Sequence, residues 1–136
     1  MLNKILCIDD DAITLMLCKK VITKAEFSNE IDTALNGEDA LKYLDNIIKI
    51  KHDDTNIVLP QLIFLDLNMP IMNGWEFLDV FSQENYKSTF FDTKVIILSS
   101  TIDPKDIEKS KSYSMVTDFL SKPISKEMLE FIKNKS

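Results

Sequence analysis

Two apolar runs in this sequence finish on acidic residues. The segment ILCIDDD places Asp9 and Asp10 behind one run, and FLDLNMP places Asp66 behind another. A charge at the end of a buried strand is costly unless something binds it. Converging carboxylates repel each other, and Mg²⁺ suits a site of few carboxylates and waters, so the pattern predicts a Mg²⁺ site. The alternative is that Asp10 or Asp11 only caps the helix that follows.

The acids belong to a chain in which predicted strands and helices alternate. Strict alternation indicates a parallel sheet covered by helices on both faces, an α/β fold. The polar stretch 51–60 is predicted to be an insertion in loop conformation. The predicted strands span residues 4–9, 30–35, 61–66, 94–99 and 117–121. The predicted helices span 12–25, 37–50, 74–83 and 104–113, and Ser125 is expected to cap a last helix that ends at about residue 133.

The polarity of the five strands predicts their order in the sheet. Strands one, three and four are continuous apolar runs, which is typical of strands buried on both faces. Strands two and five contain Asp32, Thr33, Thr117 and Asp118, as expected at sheet edges. Right-handed crossovers then favour a single doubly wound sheet of order 2-1-3-4-5, whose binding crevice lies between strands one and three. These are the two strands that end in acids.

Two further polar side chains are expected at the same edge of the sheet. Ser99 ends the fourth strand, and Lys122 follows the fifth strand in the segment SKPI. A lysine beside a proline is a weak signal alone. A lysine, a hydroxyl and three acids on four strand ends are together a specific one.

Length and composition exclude several function classes. The 136 residues are 45% hydrophobic and 28% charged, which indicates one globular domain. The net charge of −6 argues against nonspecific binding to nucleic acid or to an anionic membrane. Since no run approaches the roughly 20 apolar residues of a membrane span, a cytoplasmic location is expected. Cys7 and Cys18 lack CxxC spacing and are expected in the core, while His52 is expected in a solvated loop.

The sequence resembles the receiver domains of two-component response regulators from end to end. The motifs that carry the resemblance are CIDDD (7–11), LDLNMPIMNG (65–74), VIILSS (95–100) and DFLSKPI (118–124). The resemblance implies a flavodoxin-like fold and a phosphoryl-accepting signalling function. It implies that Asp66 accepts the phosphoryl group.

The resemblance also implies roles for the residues around Asp66. Asp9, Asp10 and Asp66 would bind Mg²⁺ together with the backbone carbonyl of Asn68, and Lys122 would contact the phosphoryl group. The resemblance implies that Ser99 and Phe119 form the switch pair. It also implies that Asn68 and Thr101 tune the rate of dephosphorylation.

The same resemblance implies the partners. A histidine kinase or histidine phosphotransfer protein would donate the phosphoryl group, and a downstream protein of unknown identity would read the surface of the fourth helix, fifth strand and fifth helix. A homodimer formed on phosphorylation is a further expectation. Because the chain stops once its last predicted helix is complete, residues 1–136 are expected to be a stand-alone receiver with no output domain. Its only chemistry would be self-catalysed phosphoryl transfer and loss.

Three other readings remain open. A phosphatase of the haloacid dehalogenase type would need a second acid two residues after its nucleophile, where this chain has Asn68. A flavin or nucleotide carrier would need a glycine-rich loop, and the chain has only Gly37 and Gly74. A docking module that works without phosphorylation usually lacks one of the acids or the lysine, and this chain keeps them all.

Overall fold

A computed structural model of the chain describes residues 1–135. Within that range, five strands and six helices follow one another. Their bounds are β1 Leu2–Ile8, α1 Ala12–Lys24, β2 Ser28–Ala34, α2 Gly37–Asp53, β3 Leu62–Leu65, α3 Gly74–Phe81, α4 Glu84–Thr89, β4 Lys94–Ser99, α5 Pro104–Ser110, β5 Val116–Ser121 and α6 Lys126–Lys135.

All five strands are parallel, and their order is β2-β1-β3-β4-β5. The predicted order is therefore confirmed, as are β2 and β5 at the edges. β1 lies beside both β2 and β3, with Ile5 opposite Ile31 on one side and opposite Leu62 on the other. This places the ends of β1 and β3 next to each other at the carboxyl edge of the sheet.

The central strands bury both of their faces. Successive side chains of a strand point to opposite faces, so each central strand supplies two hydrophobic clusters. Leu6 and Ile8 of β1 face the cluster that α2 and α3 cover. Ile5 and Cys7 face the cluster that α1 and α6 cover. The continuous apolar runs in the sequence arise from this double burial.

Five helices begin at side chains that accept hydrogen bonds from free backbone N–H groups. For α6 it is Ser125, whose Oγ accepts from the N–H of Met128 at 3.2 Å. Asp11 caps α1, so the capping alternative applies to Asp11 and leaves Asp10 free for another role. Asn36 caps α2, and Asp103 caps α5. Asn73 caps α3 and forms a reciprocal capping box with Glu76. These caps fix where each helix starts relative to the preceding strand.

The prediction of a loop over residues 51–60 is wrong for residues 51–53. Helix α2 continues to Asp53, and His52 lies in its last turn instead of in a loop. Ile57 and Leu59, farther along the segment, pack against the core cluster beneath α2 and α3. The segment is thus partly anchored rather than a free insertion.

Helix α4 was not among the helices predicted from the sequence. Only Tyr86 of its six residues is buried, so the segment has no amphipathic period to reveal it. Tyr86 packs beside Phe81 with ring centroids 6.3 Å apart and donates a hydrogen bond to Asp45 Oδ1 at 2.5 Å. Tertiary contacts with α2 and α3 therefore stabilise α4.

Both cysteines are free and buried, as predicted. Burial raises the pKa of the Cys18 thiol to about 11, so that it stays protonated at neutral pH. Cys7 is buried more deeply, and its pKa is raised further. Among residues 1–135, no helix combines the length and the apolar content needed to span a bilayer.

Candidate functional site

Two acids sit at the ends of neighbouring central strands. Asp9 follows β1 and Asp66 follows β3, and each is only 5% exposed. The N–H of Asp9 donates to the carbonyl of Ala34 at 3.1 Å, and the N–H of Asp66 donates to the carbonyl of Ile8 at 3.0 Å. Sheet-like hydrogen bonds thus hold both backbones, while Asp10 is exposed at the rim.

Lys122 bridges the two buried acids. Its Nζ lies 2.5 Å from Asp9 Oδ2 and 3.3 Å from Asp66 Oδ1, and its side chain is 19% exposed. Its N–H donates to the carbonyl of Ser99 at 2.8 Å, which ties the end of β5 to the end of β4. The structure therefore brings side chains from β1, β3 and β5 together as the sequence predicts.

The electrostatics of this group leave its carboxylates only partly compensated. Burial raises the pKa of Asp66, and repulsion from Asp9 raises it further, while Lys122 and the backbone N–H of Asn68 lower it in part. Burial alone would lower the pKa of Lys122, but the Asp9 and Asp66 carboxylates outweigh it and raise that pKa. Lys122 is therefore a cation at neutral pH, facing more negative charge than it can neutralise.

The donor set suits a hard divalent cation. Carboxylate oxygens of Asp9, Asp10 and Asp66 all lie within 4.8 Å of one another. The three carboxylates carry more negative charge than the single lysine beside them can neutralise. Mg²⁺ suits such a site, because it binds to a few carboxylates and keeps several of its waters. Asn68, which follows on the same loop, is exposed at the mouth of the group.

The remaining predicted residues lie around this group. Ser99 is 1% exposed at the end of β4, and its Oγ accepts a hydrogen bond from the N–H of Thr101 at 3.3 Å. Thr101 itself is exposed. Phe119 of β5 is half-buried and packs against the cluster beneath α2 and α3.

Gly74 contributes to this site, although it was not among the residues predicted from the sequence. Its N–H donates to the carbonyl of Leu67 at 2.9 Å. A Cβ at this position would lie 2.7 Å from the carbonyl oxygen of Asp66, so only glycine lets the start of α3 approach so closely. The signal in the sequence was a glycine directly after the Asn73 cap.

Comparisons with known proteins agree with one another. The family model described as the response regulator receiver domain matches residues 5–132. A crystal structure of a two-component response regulator from Cytophaga hutchinsonii superposes with a TM-score of 0.86 at 30% identity, covering 98% of this chain and 96% of that one.

Two curated relatives are much longer than this chain. Hybrid signal transduction histidine kinase L of Dictyostelium discoideum is 28% identical over 134 residues, which cover 98% of this chain and 7% of that protein. A protein-glutamate methylesterase/protein-glutamine glutaminase of Treponema denticola is 35% identical over 97 residues, which cover 71% of this chain and 22% of that protein. The chain thus matches only a small part of each relative.

Proposed function

Because the chain belongs to the response regulator receiver domains, phosphoacceptor modules of two-component signalling, we propose that Asp66 accepts a phosphoryl group from a phosphohistidine on a partner protein. One observation carries the assignment. Asp66 is a buried carboxylate at the tip of a central strand, with a lysine cation 3.3 Å away and a second buried acid on the neighbouring strand. A carboxyl group whose pKa is perturbed by burial and by specific charged neighbours is a candidate functional group.

The transfer forms one bond and breaks one bond. A carboxylate oxygen of Asp66 attacks the phosphorus in line with the scissile P–N bond, and a P–O bond forms as the P–N bond breaks. The bonding electron pair returns to the ring nitrogen. The ring departs as neutral imidazole when its other nitrogen already carries a proton. The product is an acyl phosphate on Asp66.

The residues around Asp66 would stabilise the transferred group. Lys122 would move its ammonium onto a phosphoryl oxygen, and the Ser99 hydroxyl would donate to another. Asp9, Asp10 and Asp66, with the Asn68 carbonyl, would hold Mg²⁺. With Mg²⁺ held there, part of the negative charge on the phosphoryl oxygens would be neutralised.

The rim of the site offers a surface for the donor protein. Several large apolar side chains that follow the carboxyl ends of strands are exposed, with Ile71 at 75% and Ile13 at 64%. The others in this group are Leu17, Leu35 and Ile102. We infer that these side chains, exposed in segments that follow β1, β2, β3 and β4, contribute to the surface that the donor protein contacts. A histidine kinase or a histidine phosphotransfer protein is the partner that fits the proposed chemistry.

Intact mass after treatment with acetyl phosphate and Mg²⁺ tests the acceptor. Wild type should gain the mass of one phosphoryl group, and Asp66→Asn should not. Asp92→Asn is a suitable control outside the site and should behave as wild type. Equal labelling of Asp66→Asn would refute the assignment. An unlabelled wild type would favour the docking module that works without phosphorylation.

Isothermal titration tests the metal ligands. Asp10→Ala should weaken Mg²⁺ binding, because one of the three converging carboxylates is lost. Asp11→Ala is a matched control, since Asp11 is an adjacent exposed acid whose side chain caps α1. Unchanged Mg²⁺ affinity in Asp10→Ala would contradict the ligand assignment.

We further infer that Ser99 and Phe119 carry the state of Asp66 to the surface of α5, β5 and α6, which are the predicted fourth helix, fifth strand and fifth helix. To change the ratio of switched to resting protein from 1:99 to 99:1, phosphorylation must favour the switched state by roughly 5.5 kcal/mol of interaction free energy. One hydroxyl bond to a charged group supplies about 1.5–3 kcal/mol, so either Lys122 and the metal contribute as well or the resting state already samples the switched form. If beryllofluoride, a phosphoryl mimic, shifts the α5 and Phe119 NMR resonances equally in wild type and Ser99→Ala, Ser99 is not the relay.

The lifetime of the phosphoryl group is expected to depend on Asn68 and Thr101. Both are exposed in the segments that follow Asp66 and Ser99, and we infer that they flank the path of an attacking water. Substituting either residue should change the rate of dephosphorylation without changing which residue is phosphorylated. Following the phosphoprotein mass over time measures this rate directly.

A further inference from the structure

Four side chains join helix α3 to the far end of α5. Tyr113, in the connection from α5 to β5, donates its hydroxyl to Asp79 Oδ1 at 2.6 Å. The rings of Tyr113 and Trp75 are stacked with centroids 6.0 Å apart. The ammonium of Lys109 lies 4.6 Å from the centroid of the Trp75 ring. We call Trp75, Asp79, Lys109 and Tyr113 the α3–α5 clasp.

Helix α5 has little other anchorage in the core. It spans seven residues, and Ser110 is the buried one among them. Its first turn is held by the Asp103 cap, directly after the loop that leaves Ser99. A helix with so little buried apolar surface is easily displaced. The position of its far end therefore depends on the clasp.

The α3 side of the clasp is fixed to the acceptor loop. Trp75 directly follows Gly74, whose N–H bonds the carbonyl of Leu67 at 2.9 Å. Gly74 packs directly against the backbone of Asp66. A Cβ added at Gly74 would lie only 2.7 Å from the carbonyl oxygen of Asp66. The clasp therefore connects the strand end that carries Asp66 to the end of α5 remote from Ser99.

We propose that the α3–α5 clasp holds α5 in its resting position and opens when Asp66 is phosphorylated. The proposal rests on the proposed function, because it concerns the switch that phosphorylation drives. Contacts made only in the resting state oppose the switch, since phosphorylation can shift the equilibrium only by its difference in interaction with the two states. Weakening the clasp should therefore favour the switched state.

A beryllofluoride titration followed by NMR tests the clasp. Tyr113→Phe keeps the stacked ring and removes the hydroxyl donor. Losing one hydrogen bond of the resting state should lower the beryllofluoride concentration at half-saturation by roughly fivefold. Lys109→Met removes the cation from the Trp75 ring, keeps a chain of similar length and should act in the same direction.

The chain offers a matched control for Tyr113→Phe. Tyr43 also donates its hydroxyl to an aspartate, Asp32 Oδ2 at 2.5 Å, but this bond joins α2 to the edge strand β2. Tyr43→Phe loses an equivalent bond and should leave the half-saturating concentration within about twofold of wild type. The same shift in both variants would show a general loss of stability and overturn the clasp.

Trp75 supplies an independent signal, since it is the one tryptophan of the chain. Saturating beryllofluoride should change its emission in wild type as Lys109 and Tyr113 move away from the ring. One combination of results would refute the clasp while the proposed function stands. In it, wild type binds beryllofluoride, but its Trp75 emission does not change and Tyr113→Phe binds beryllofluoride with wild-type affinity. If wild type neither binds beryllofluoride nor accepts a phosphoryl group, the proposed function fails and the clasp has no switch to restrain.

Discussion

Replacing Lys122 by methionine should strongly destabilise the protein at neutral pH without Mg²⁺. The substitution keeps most of the apolar stem but leaves Asp9 and Asp66, each 5% exposed, without their cation. Removing one partner of a buried ion pair costs about 3–5 kcal/mol. Since the Lys122 side chain is 19% exposed, the lower end applies, about 3 kcal/mol.

This free energy corresponds to a measurable change in melting temperature. The unfolding entropy of a 136-residue chain is about 0.29 kcal/mol/K, so Tm should fall by roughly 10 °C. Lys111→Met is the matched control, because Lys111 lies 3.3 Å from Glu108 in a pair whose side chains are 68% and 78% exposed. Exposed pairs contribute at most about 1 kcal/mol, so the control should shift Tm by no more than about 3 °C.

The loss should depend on pH in a defined direction. Lys122 lowers the pKa of Asp66, so its removal raises that pKa further. A carboxyl whose pKa is raised in the folded state destabilises the protein when it is ionised. The cost should therefore be largest at neutral pH and should shrink as the pH falls toward the ordinary aspartate pKa of about 3.9.

Thermal denaturation followed by circular dichroism, at neutral pH and at about pH 4.5 with EDTA present, measures both effects. Added Mg²⁺ should stabilise Lys122→Met more than wild type, because it replaces the missing cation. If Lys122→Met lowers Tm equally at both pH values, the loss of stability comes from the packing of the lysine stem and not from its charge. A loss no larger than that of Lys111→Met would refute the reasoning from burial.

Three further substitutions test the backbone around the site. Ile71 has a φ of 71°, which is strained for a β-branched residue, and its side chain is exposed; Ile71→Asn should stabilise by about 1 kcal/mol in urea denaturation, and no gain would argue against strain. Gly74→Ala should cost about 1–3 kcal/mol and perturb the Asp66 amide resonance, because its Cβ would collide with backbone; an unperturbed amide would contradict this. Asn73→Ala should cost about 1 kcal/mol by removing the α3 cap, whereas Ser88→Ala at an exposed site should be nearly neutral.

The sequence determined the sheet and the convergence of the site. Continuous apolar runs can be strands buried on both faces, and polar strands must lie at the edges, so the order of the sheet follows from composition and crossover handedness. The carboxyl ends of parallel strands meet at one edge. The sequence alone therefore placed Asp9, Asp66, Ser99 and Lys122 at the same edge of the sheet.

Only the tertiary structure decided how these groups contact each other and what surrounds them. The reach of Lys122 to both Asp9 and Asp66 depends on the register of β5, and no local pattern encodes it. Helix α4 forms because Tyr86 finds Asp45 and Phe81 on other elements. The α3–α5 clasp joins residues that are 34 positions apart, Asp79 and Tyr113. Sequence periodicity reports which face of an element is buried, whereas such contacts arise from the packing of elements distant in the chain.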